Sequence, residues 1–336
     1  MKILVTGAAG LVGCHATAAL LDAGHEVAAL VRDPAKLDAA LAPFDRSRHD
    51  VEIVQADLED ADAVRRAVAG REGVLHAAGR YSRVPAEADL IQRINVGGTR
   101  TVLEAAASAG VGRIVHVSSM LALFPPQGAL MSPDDPVVTP RSTYARTKAD
   151  AERIAREVQT RAPVTIVYPT AVQGPHDPTF SAGPANVAIA LRERRTLVTE
   201  GGFPYTDARD LATFLVAVFA GRLAARRAMA PSFYLSHEDY RQILERVTGH
   251  SIGAIRIPGA VMRMLGRAGD LVQRFGRDVP LTFEAAEVFT RGVPVDDRDA
   301  RAVLGREPLS AEESFRDLIR WMAEAGHVSR EAAGRA

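Results

Sequence analysis

The 336-residue chain has little of several features that would assign it to a specialised class of protein. Cys14 is its only cysteine, so no disulfide can form within the chain, and we expect a reducing compartment, the cytoplasm. No stretch approaches the roughly 18 uncharged apolar residues that a membrane-spanning helix needs. Lysine plus arginine and aspartate plus glutamate number 41 each, so no net charge attracts nucleic acid or anionic lipid to the whole molecule.

What the sequence does contain is the composition of an ordinary globular protein, 47% hydrophobic and 24% charged. The length suffices for one large domain, or for one domain with a smaller partner. The first ten residues have too little apolar length for a signal peptide, and they fit a strand that runs into a glycine turn. We predict no metal site.

In the first half of the chain, short apolar runs alternate with helical patterns. Runs of valine, isoleucine and leucine without polar alternation indicate a parallel sheet buried on both faces, with helices as the crossovers. We therefore predict an α/β fold, a doubly wound parallel sheet of the Rossmann type, with ligands at the carboxyl ends of the strands. The predicted strands are Ile3–Thr6, Val27–Val31, Val51–Gln55, Val74–Ala77, Ile114–Val117 and Val164–Val167, and the helices lie near 11–23, 60–70, 95–110 and 144–161.

After Pro169 this alternation stops, and glycines and prolines in the stretch 174–184 would break any helix. We expect a smaller, mostly helical substrate domain beyond this point, with one helix near 208–221 returning to pack on the sheet. A polar, frayed tail would end the chain. The predicted boundaries are 1–170 plus about 204–231 for the Rossmann domain, about 171–203 and 232–330 for the substrate domain, and 331–336 for the tail.

The first strand runs into a glycine-rich turn, Thr6-Gly7-Ala8-Ala9-Gly10-Leu11-Val12-Gly13, that precedes a helix. Glycines let the backbone turn tightly and approach a pyrophosphate, which then lies on the amides of the helix N-terminus. The spacing is one residue longer than the general dinucleotide fingerprint. Glycine used for steric reasons alone is the alternative, but the position between strand and helix favours a dinucleotide, bound through Gly7, Ala9, Gly10, Leu11 and Val12.

The end of the second strand indicates which dinucleotide binds. NAD-binding proteins usually place a carboxylate there for the ribose, whereas an arginine accommodates the 2′-phosphate of NADP. Here Val31 occupies the strand end, followed by Arg32, and Asp33 comes one residue late. We therefore predict NADP, with NAD possible. In the alternative, Arg32 is a solvated loop residue and Asp33 only caps the turn before Pro34.

Two further strand ends carry candidate cofactor residues. Asp57 after the third strand could accept from the adenine amino group while Leu58 packs on the ring, although Asp57 could equally cap the next helix. Ala77, Ala78 and Gly79 follow the fourth strand, and their small size lets a cofactor pass close to the backbone. We expect His76, which precedes them, to be structural.

The catalytic candidates are Ser119, Tyr144 and Lys148. Ser118 and Ser119 follow the fifth strand, and four residues separate Tyr144 from Lys148, which places both on one helical face. A free tyrosine has a pKa near 10, and a neighbouring ammonium would lower that pKa toward the useful range. A serine hydroxyl at the strand end could stabilise charge that develops on the substrate oxygen.

These motifs, in this order, resemble the extended short-chain dehydrogenase/reductase superfamily, in particular the NAD-dependent epimerase/dehydratase, dihydroflavonol reductase and 3β-hydroxysteroid dehydrogenase proteins. The resemblance covers about the first 215 residues. The matching segments are 6–13, Asp57-Leu58, 76–79, Asn95-Val96-Gly97-Gly98-Thr99, Ser118-Ser119, Tyr144 with Lys148, Tyr168-Pro169 with Gly174-Pro175, and 205–212.

The resemblance implies roles for individual residues. Tyr144 would be the acid/base, Lys148 would also hold the nicotinamide ribose, and Ser119 rather than Ser118 would orient the substrate. Asn95 would support the strand ends or a proton path, unless it is only a helix N-cap. Further implied cofactor contacts are Val117, Tyr168, Pro169, Thr170 and Val172, and the substrate contacts are Ser119, Met120, Leu121, Tyr81 and Phe203.

Departures from the family pattern bear on the substrate. Enzymes of nucleotide sugars usually have Asn where this chain has Tyr168 and Arg where it has Phe203, and the loss of both weakens that reading. Met120 and Leu121 replace the acidic pair of the 4,6-dehydratases. The segments 121–126, 129–131 and 257–265 are apolar, and would form a lipophilic pocket unless they are ordinary core.

We therefore predict an NADP(H)-dependent oxidoreductase that interconverts a ketone or aldehyde and a secondary alcohol on an apolar small molecule. The alternatives are an NAD-dependent sugar or sugar-nucleotide epimerase/dehydratase and a non-catalytic cofactor-sensing regulator. A homodimer through the helices near 95–110 and 144–161 is expected by analogy. The basic stretch 258–277 could touch a membrane, although a solvated helical face is favoured. The arginines within the stretch and just before it are Arg256, Arg263, Arg267, Arg274 and Arg277.

Overall fold

The computed structural model describes residues 1–82, 84–273 and 281–336. Arg274 and Arg277 of the predicted basic stretch lie outside these ranges. The strands are β1 Lys2–Thr6, β2 Glu26–Val31, β3 Glu52–Gln55, β4 Gly73–His76, β5 Arg113–Val117, β6 Val164–Tyr168, β7 Ala171–Gln173, β8 Arg195–Val198, β9 Gly202–Asp207, β10 Arg227–Met229, β11 Phe233–Ser236 and β12 Gly253–Arg256.

Helices connect the strands of the first half and make up most of the second half of the chain. They are α1 Leu11–Asp22, α2 Pro34–Leu41, α3 Ala61–Val68, α4 Ala88–Gln92, α5 Gly98–Ser108, α6 Thr143–Gln159, α7 Ala182–Glu193, α8 Ala208–Phe219, α9 His237–Thr248, α10 Gly259–Gln273, α11 Phe283–Arg291, α12 Arg298–Leu304, α13 Ala311–Glu324 and α14 Arg330–Ala333.

The predicted doubly wound parallel sheet is confirmed. Seven strands lie in the order β10-β6-β5-β4-β1-β2-β3, and every pair within this sheet is parallel. Successive strand residues point to opposite faces: Leu4 belongs to the core on one face, and Ile3 and Val5 belong to the core on the other. The strand order reverses between β1 and β4, and this switch point is where an open α/β sheet binds its ligand.

Two elements from beyond residue 170 associate with the central sheet, one as a packed helix and one as an added strand. α8 packs against α1, with Leu211 and Phe214 in the shared core, as the sequence predicted for the helix near 208–221. β10 extends the sheet by pairing Ala228 with Val167. The sequence did not predict β10, because three residues are too few to show a strand pattern.

Part of the remaining chain forms a separate apolar core around α7, α9 and α13, with Phe315 and Leu318 fully buried in it, whereas Ala300 and Leu304 of α12 pack in a core of the central sheet. Two small sheets border this core, one of β7, β9 and β11 and one of β8 and β12. The predicted domain boundaries remain a prediction, although this second core agrees with a mostly helical substrate part.

The predicted frayed tail is wrong. The last residues form α14, Ala333 is buried in the second core, and the Arg335 amide donates to the Thr248 carbonyl at 3.0 Å. Within the described ranges, no helix is long and apolar enough to cross a membrane.

Candidate active site

The glycine turn between β1 and α1 packs so closely that two of its positions exclude any side chain. Gly7 has a φ of +78°, and a Cβ there would lie 2.7 Å from the Ala78 backbone. A Cβ on Gly13 would lie 2.0 Å from the Gly7 carbonyl oxygen. Gly7 therefore lets the turn pack onto the residues after β4, Ala77 and Ala78, and Gly13 lets α1 pack onto the turn.

Gly10 differs, because the protein itself leaves room beside it. Its φ of −100° suits any residue, and the nearest atom to a Cβ would be the Gly7 oxygen at 3.5 Å. No side chain caps α1 and no acidic residue lies in its first turn, so the amides of Leu11 and Val12 face no competing protein carboxylate. Open space beside uncapped amides fits a pyrophosphate.

The ends of β2 and β3 bring Arg32 and Asp57 together. Their side chains form an exposed ion pair with 3.8 Å between Arg32 Nη1 and Asp57 Oδ2. Asp33 accepts from the Ala35 amide and caps α2, as the alternative reading of the sequence proposed. Asp60, not Asp57, caps α3, so the helix-cap alternative for Asp57 is wrong. Arg32 and Asp57 therefore remain accessible where the adenosine end of a dinucleotide would lie.

The two serines after β5 point in different directions. Ser118 is buried, and its hydroxyl donates to Glu152 Oε2 at 2.7 Å. Ser119 is half-buried and its Oγ accepts only from the Leu121 amide, at 3.2 Å, among the contacts of the described chain. The Ser119 hydroxyl can therefore donate a hydrogen bond to an oxygen placed beside it, which is the role predicted from the sequence.

Tyr144 lies in the first turn of α6. Ser142 caps this helix, and Glu284 of α11 accepts from the Arg141 and Ser142 amides at 2.5 and 2.7 Å. The ring of Tyr81 meets the Tyr144 ring edge-on, with 4.8 Å between centroids. Burial, and then Tyr81, raise the pKa of Tyr144 to about 12. The predicted lowering by Lys148 is therefore wrong for the free protein.

Lys148 follows one turn later and is buried. Its Nζ donates to the carbonyl oxygen of Val117 at 3.3 Å, so the Tyr144–Lys148 face of α6 lies against the end of β5. Burial lowers the pKa of Lys148 to about 8, and Glu152 opposes that shift. The ammonium is thus held at the sheet edge that also carries Ser119.

Glu152 was missed by the sequence analysis. Its carboxylate is fully buried and accepts from Ser118, from the Tyr168 hydroxyl at 2.6 Å and from Arg156 Nε at 2.8 Å. The series Tyr144, Lys148, Glu152 and Arg156, each four residues apart, could have revealed it. The Tyr168 side chain is directed into this buried network, so the side chain does not line a cofactor site, and a contact through the Tyr168 backbone remains a prediction.

Asn95 links the loop after β4 to α6. Its Nδ2 donates to Thr147 Oγ1 at 2.9 Å and to the Arg80 carbonyl at 3.0 Å, while its Oδ1 accepts from the Arg80 amide. No side chain of the described chain caps α5, so the N-cap alternative for Asn95 is wrong. Asn95 instead fixes the backbone just after Gly79.

His76 is structural, as predicted. Both ring nitrogens lie within hydrogen-bond distance of threonine hydroxyls, Thr6 at 2.7 Å and Thr99 at 3.0 Å. Burial lowers the pKa of His76 to about 3, so the ring stays neutral at physiological pH.

The residues after β6 are engaged within the protein. The Pro169 carbonyl accepts from the Met120 amide at 3.0 Å, and Thr170 Oγ1 lies 2.8 Å from Thr206 Oγ1. Val172 is half-buried against the core that contains α8. Their predicted cofactor contacts remain a prediction.

Residues of the predicted lipophilic wall have different surroundings. Leu123 and Met131 are core residues, so the ordinary-core alternative holds for them, whereas Phe124 is packed in the core and also borders a cavity. Met120, a predicted substrate contact, is buried in the same core. A cavity of about 160 Å³ nevertheless remains beside Leu121 and Ala145, which are close in the chain to Ser119 and Tyr144, although neither Ser119 nor Tyr144 lines it. Its lining comprises Leu121, Phe124, Pro125, Thr139, Pro140, Arg141, Ala145, Glu284, Glu287 and Val288.

Two other predicted substrate contacts, Phe203 and Tyr81, and the predicted wall segment 257–265 have different surroundings. Phe203 is half-buried against the core and lies 5.9 Å from the Tyr205 ring, whereas Tyr81 is exposed above Tyr144. In the predicted wall 257–265, Val261, Met264 and Leu265 are exposed, so that prediction is wrong for these side chains.

Comparison with known proteins shows the family to which the chain is similar. The model of the NAD dependent epimerase/dehydratase family matches residues 3–225. The chain is 30% identical to sterol demethylase protein B of Methylococcus capsulatus, over 98% of this chain and 100% of the relative. It is 26% identical to the 4-hydroxy-2-methyl-3-oxo-4-farnesyl-3,4-dihydroquinoline-1-oxide ketoreductase of Stigmatella aurantiaca, over 97% and 98%.

A solved structure supports the fold. The double mutant of a dTDP-glucose 4,6-dehydratase from Streptomyces venezuelae, with NAD bound, has a TM-score of 0.74 and 23% identity to this chain. The match covers 98% of this chain and 99% of that one.

Proposed function

This chain belongs to the NAD dependent epimerase/dehydratase family, in the extended short-chain dehydrogenase/reductase group, and we propose that it is an NADP(H)-dependent oxidoreductase acting on an apolar carbonyl compound. In one direction it would reduce a ketone or aldehyde, and in the other it would oxidise the secondary alcohol. The observation that carries the proposal is the Lys148–Val117 hydrogen bond, which brings the Tyr144 face of α6 to the strand end that bears Ser119.

The residues at the sheet edge fit a dinucleotide. Gly7, Ala9, Gly10, Leu11 and Val12 would hold its pyrophosphate, and Leu58, Ala77, Ala78 and Gly79 would border it. Arg32 supports NADP, because its exposed guanidinium can pair with a 2′-phosphate, whereas Asp33 is engaged as a helix cap. When bound, the reduced nicotinamide supplies the hydride for the carbonyl carbon.

The protein's own groups would act on the substrate oxygen. Ser119 would donate a hydrogen bond to it and stabilise the charge that develops during reduction. Tyr144 would give that oxygen its proton, and its raised pKa means that the hydroxyl carries this proton at neutral pH. Lys148 would then stabilise the phenolate, since a cation nearby favours the charged form.

An apolar substrate is supported by the site and by the relatives. The cavity beside Leu121 and Ala145 has Leu121, Phe124, Pro125 and Val288 in its wall, together with the polar Thr139, Arg141, Glu284 and Glu287. The positions that are polar in enzymes of nucleotide sugars hold Phe203, which packs on apolar core, and Tyr168, which is bound to Glu152. The two relatives are named for a sterol and for a farnesylated ketone.

A cofactor-turnover screen tests the proposal. Purified protein is mixed with NADPH or NADH and a panel of apolar ketones, and the loss of the reduced-nicotinamide absorbance is followed. We expect net oxidation of NADPH that depends on the ketone. Tightly bound NAD without net turnover would favour an epimerase, and unchanged activity in Tyr144→Phe would refute the catalytic assignment.

A further inference from the structure

The outer surface of α10 is apolar over its whole described length. Its exposed positions fall on one side of the helix at about 100° per residue. They are Ala260, Val261, Met264, Leu265, Arg267, Ala268, Leu271 and Val272, and all but Arg267 are apolar. Met264 is 59% and Leu271 55% exposed. A surface helix normally turns its apolar side to the core, so this orientation is reversed.

Close packing on the inner side fixes this orientation. A Cβ on Gly266 would lie 2.6 Å from the Thr282 carbonyl oxygen, at the start of α11, and Gly259 and Met262 are also buried. The inner side therefore requires small residues at the contact with α11. Rotating α10 to bury Met264 and Leu271 would drive larger side chains into that contact.

The charged side chains of α10 at the edge of the apolar surface are positive, although Glu200 accepts from the Gly259 amide at the start of the helix. Arg267 is exposed at its edge, with the guanidinium 4.7 Å from the Phe283 ring centroid, and the half-buried Arg263 donates to Thr290. Asp270, the acidic residue of α10, is turned inward and accepts from the Phe283 amide at 3.1 Å. An apolar surface with arginine at its edge and its acid turned away complements an anionic lipid surface.

We propose that the outer face of α10 docks on the surface of an anionic lipid bilayer. A second copy of the chain fits less well: a 15-residue helix is about 22 Å long and about 10 Å wide, so two such faces would bury roughly 450 Å², well below the roughly 1,200 Å² of stable interfaces. A bilayer surface imposes no such minimum, because each side chain inserts independently. This proposal does not depend on the proposed function.

α10 also lies close to the proposed substrate site. It packs on α11, and Glu284, Glu287 and Val288 of α11 line the cavity beside Leu121 and Ala145. In a protein docked through α10, this helix alone would separate the lipid from α11, which forms part of the cavity wall.

Vesicle co-sedimentation of the full chain tests the docking. We expect the protein to bind vesicles of phosphatidylglycerol and phosphatidylcholine at least ten-fold more tightly than pure phosphatidylcholine, and binding to weaken with added salt. The double variant Met264→Glu/Leu271→Glu should lose at least ten-fold in binding. Ile189→Glu is the matched control, since Ile189 is 49% exposed on α7, away from α10, and should bind like the wild type.

The other outcomes would overturn the proposal. Equal loss in the Ile189→Glu control would mean non-specific adsorption. Failure of the wild type to bind anionic vesicles would remove the bilayer as partner. If the wild type does not bind and sedimentation velocity shows a dimer that Met264→Glu/Leu271→Glu converts to a monomer, a second copy covers the helix instead. Both glutamate side chains would be exposed to solvent, and a circular dichroism spectrum and thermal unfolding midpoint equal to those of the wild type would show that the double variant is folded.

Discussion

The hydroxyl of Ser118 donates a hydrogen bond of 2.7 Å to the buried carboxylate of Glu152. This contact distinguishes two adjacent serines that look equivalent in the sequence. Ser118 belongs to the buried network that also includes Tyr168 and Arg156, whereas Ser119 keeps its hydroxyl proton for a ligand. The serine pair therefore divides into one structural and one catalytic candidate.

Substitution of Ser119 should lower catalytic activity, whereas substitution of Ser118 should lower stability. Ser119→Ala should lower kcat by about 10²-fold, as loss of one donor to a developing charge does in other enzymes. Ser118→Ala should lower the free energy of unfolding by about 1–3 kcal/mol, because Glu152 loses a buried partner. Its kcat should stay within a few-fold of wild type. Steady-state kinetics and urea unfolding of both variants measure this, and a larger kcat loss in Ser118→Ala would reverse the assignment.

The buried, charged side chain of Lys148 should lower the free energy of unfolding at neutral pH. Its pKa falls from 10.5 to about 8 on folding, so between these values the unfolded chain holds more protons and stability rises with pH. Lys148→Met removes this effect and should be more stable than wild type at pH 7, by about 3 kcal/mol. The difference should shrink as the pH approaches 10.5, and activity should be lost.

Urea unfolding of wild type and Lys148→Met from pH 7 to pH 10 provides the measurement. Tyr144, whose pKa is raised to about 12, titrates in both proteins and so cancels from the difference. A Met variant that is less stable at pH 7 would mean that the contacts with Val117 and Glu152 outweigh the burial of the charge.

Gly10 and Gly13 provide a matched test of the cofactor turn. Gly10→Ala has room for its methyl group in the free protein, so its unfolding free energy should change by less than about 1 kcal/mol. The methyl would occupy the space proposed for the pyrophosphate, and the Kd for NADPH should rise at least ten-fold. Gly13→Ala should unfold more easily, since its Cβ meets the Gly7 oxygen. Unchanged NADPH affinity in Gly10→Ala would move the cofactor elsewhere.

The Arg32 side chain should determine the preference for NADPH over NADH. Arg32→Gln should raise the Kd for NADPH at least ten-fold and leave that for NADH within two-fold, because only the former has a 2′-phosphate. Asp33→Ala is the control: it should cost about 1 kcal/mol of stability through the lost cap on α2 without changing the preference. Titration calorimetry with both cofactors measures the ratio, and equal weakening of both would remove the basis for NADP.

The sequence predicted most of the central sheet because strands such as β1, β2 and β4 contain continuous buried apolar runs, as strands buried on both faces require. The four-residue spacing places Glu152 on the same helical face as Lys148, but the direction of the Tyr168 side chain depends on contacts between β6 and α6 that no local pattern records. The basic residues of 258–277 favoured a solvated face for α10, but glycine packing at Gly266 determined which face is exposed.

The predicted dimer through the helices near 95–110 and 144–161 remains a prediction. Exposed positions of α5 and α6 include Arg100, Arg153 and Glu157, which are charged. A dimer through this face would therefore have a polar periphery, and sedimentation velocity would detect it.

Deuterium transfer tests the central claim most directly. Wild type and Tyr144→Phe are incubated with NADPH deuterated at C4, in each of its two stereochemical forms, and with an apolar ketone that the screen identifies. We expect wild type to transfer deuterium from one form to the carbonyl carbon with equal loss of NADPH. Tyr144→Phe should do so at least 10²-fold more slowly. Deuterium absent from the alcohol product, or equal rates for the two proteins, would contradict that claim.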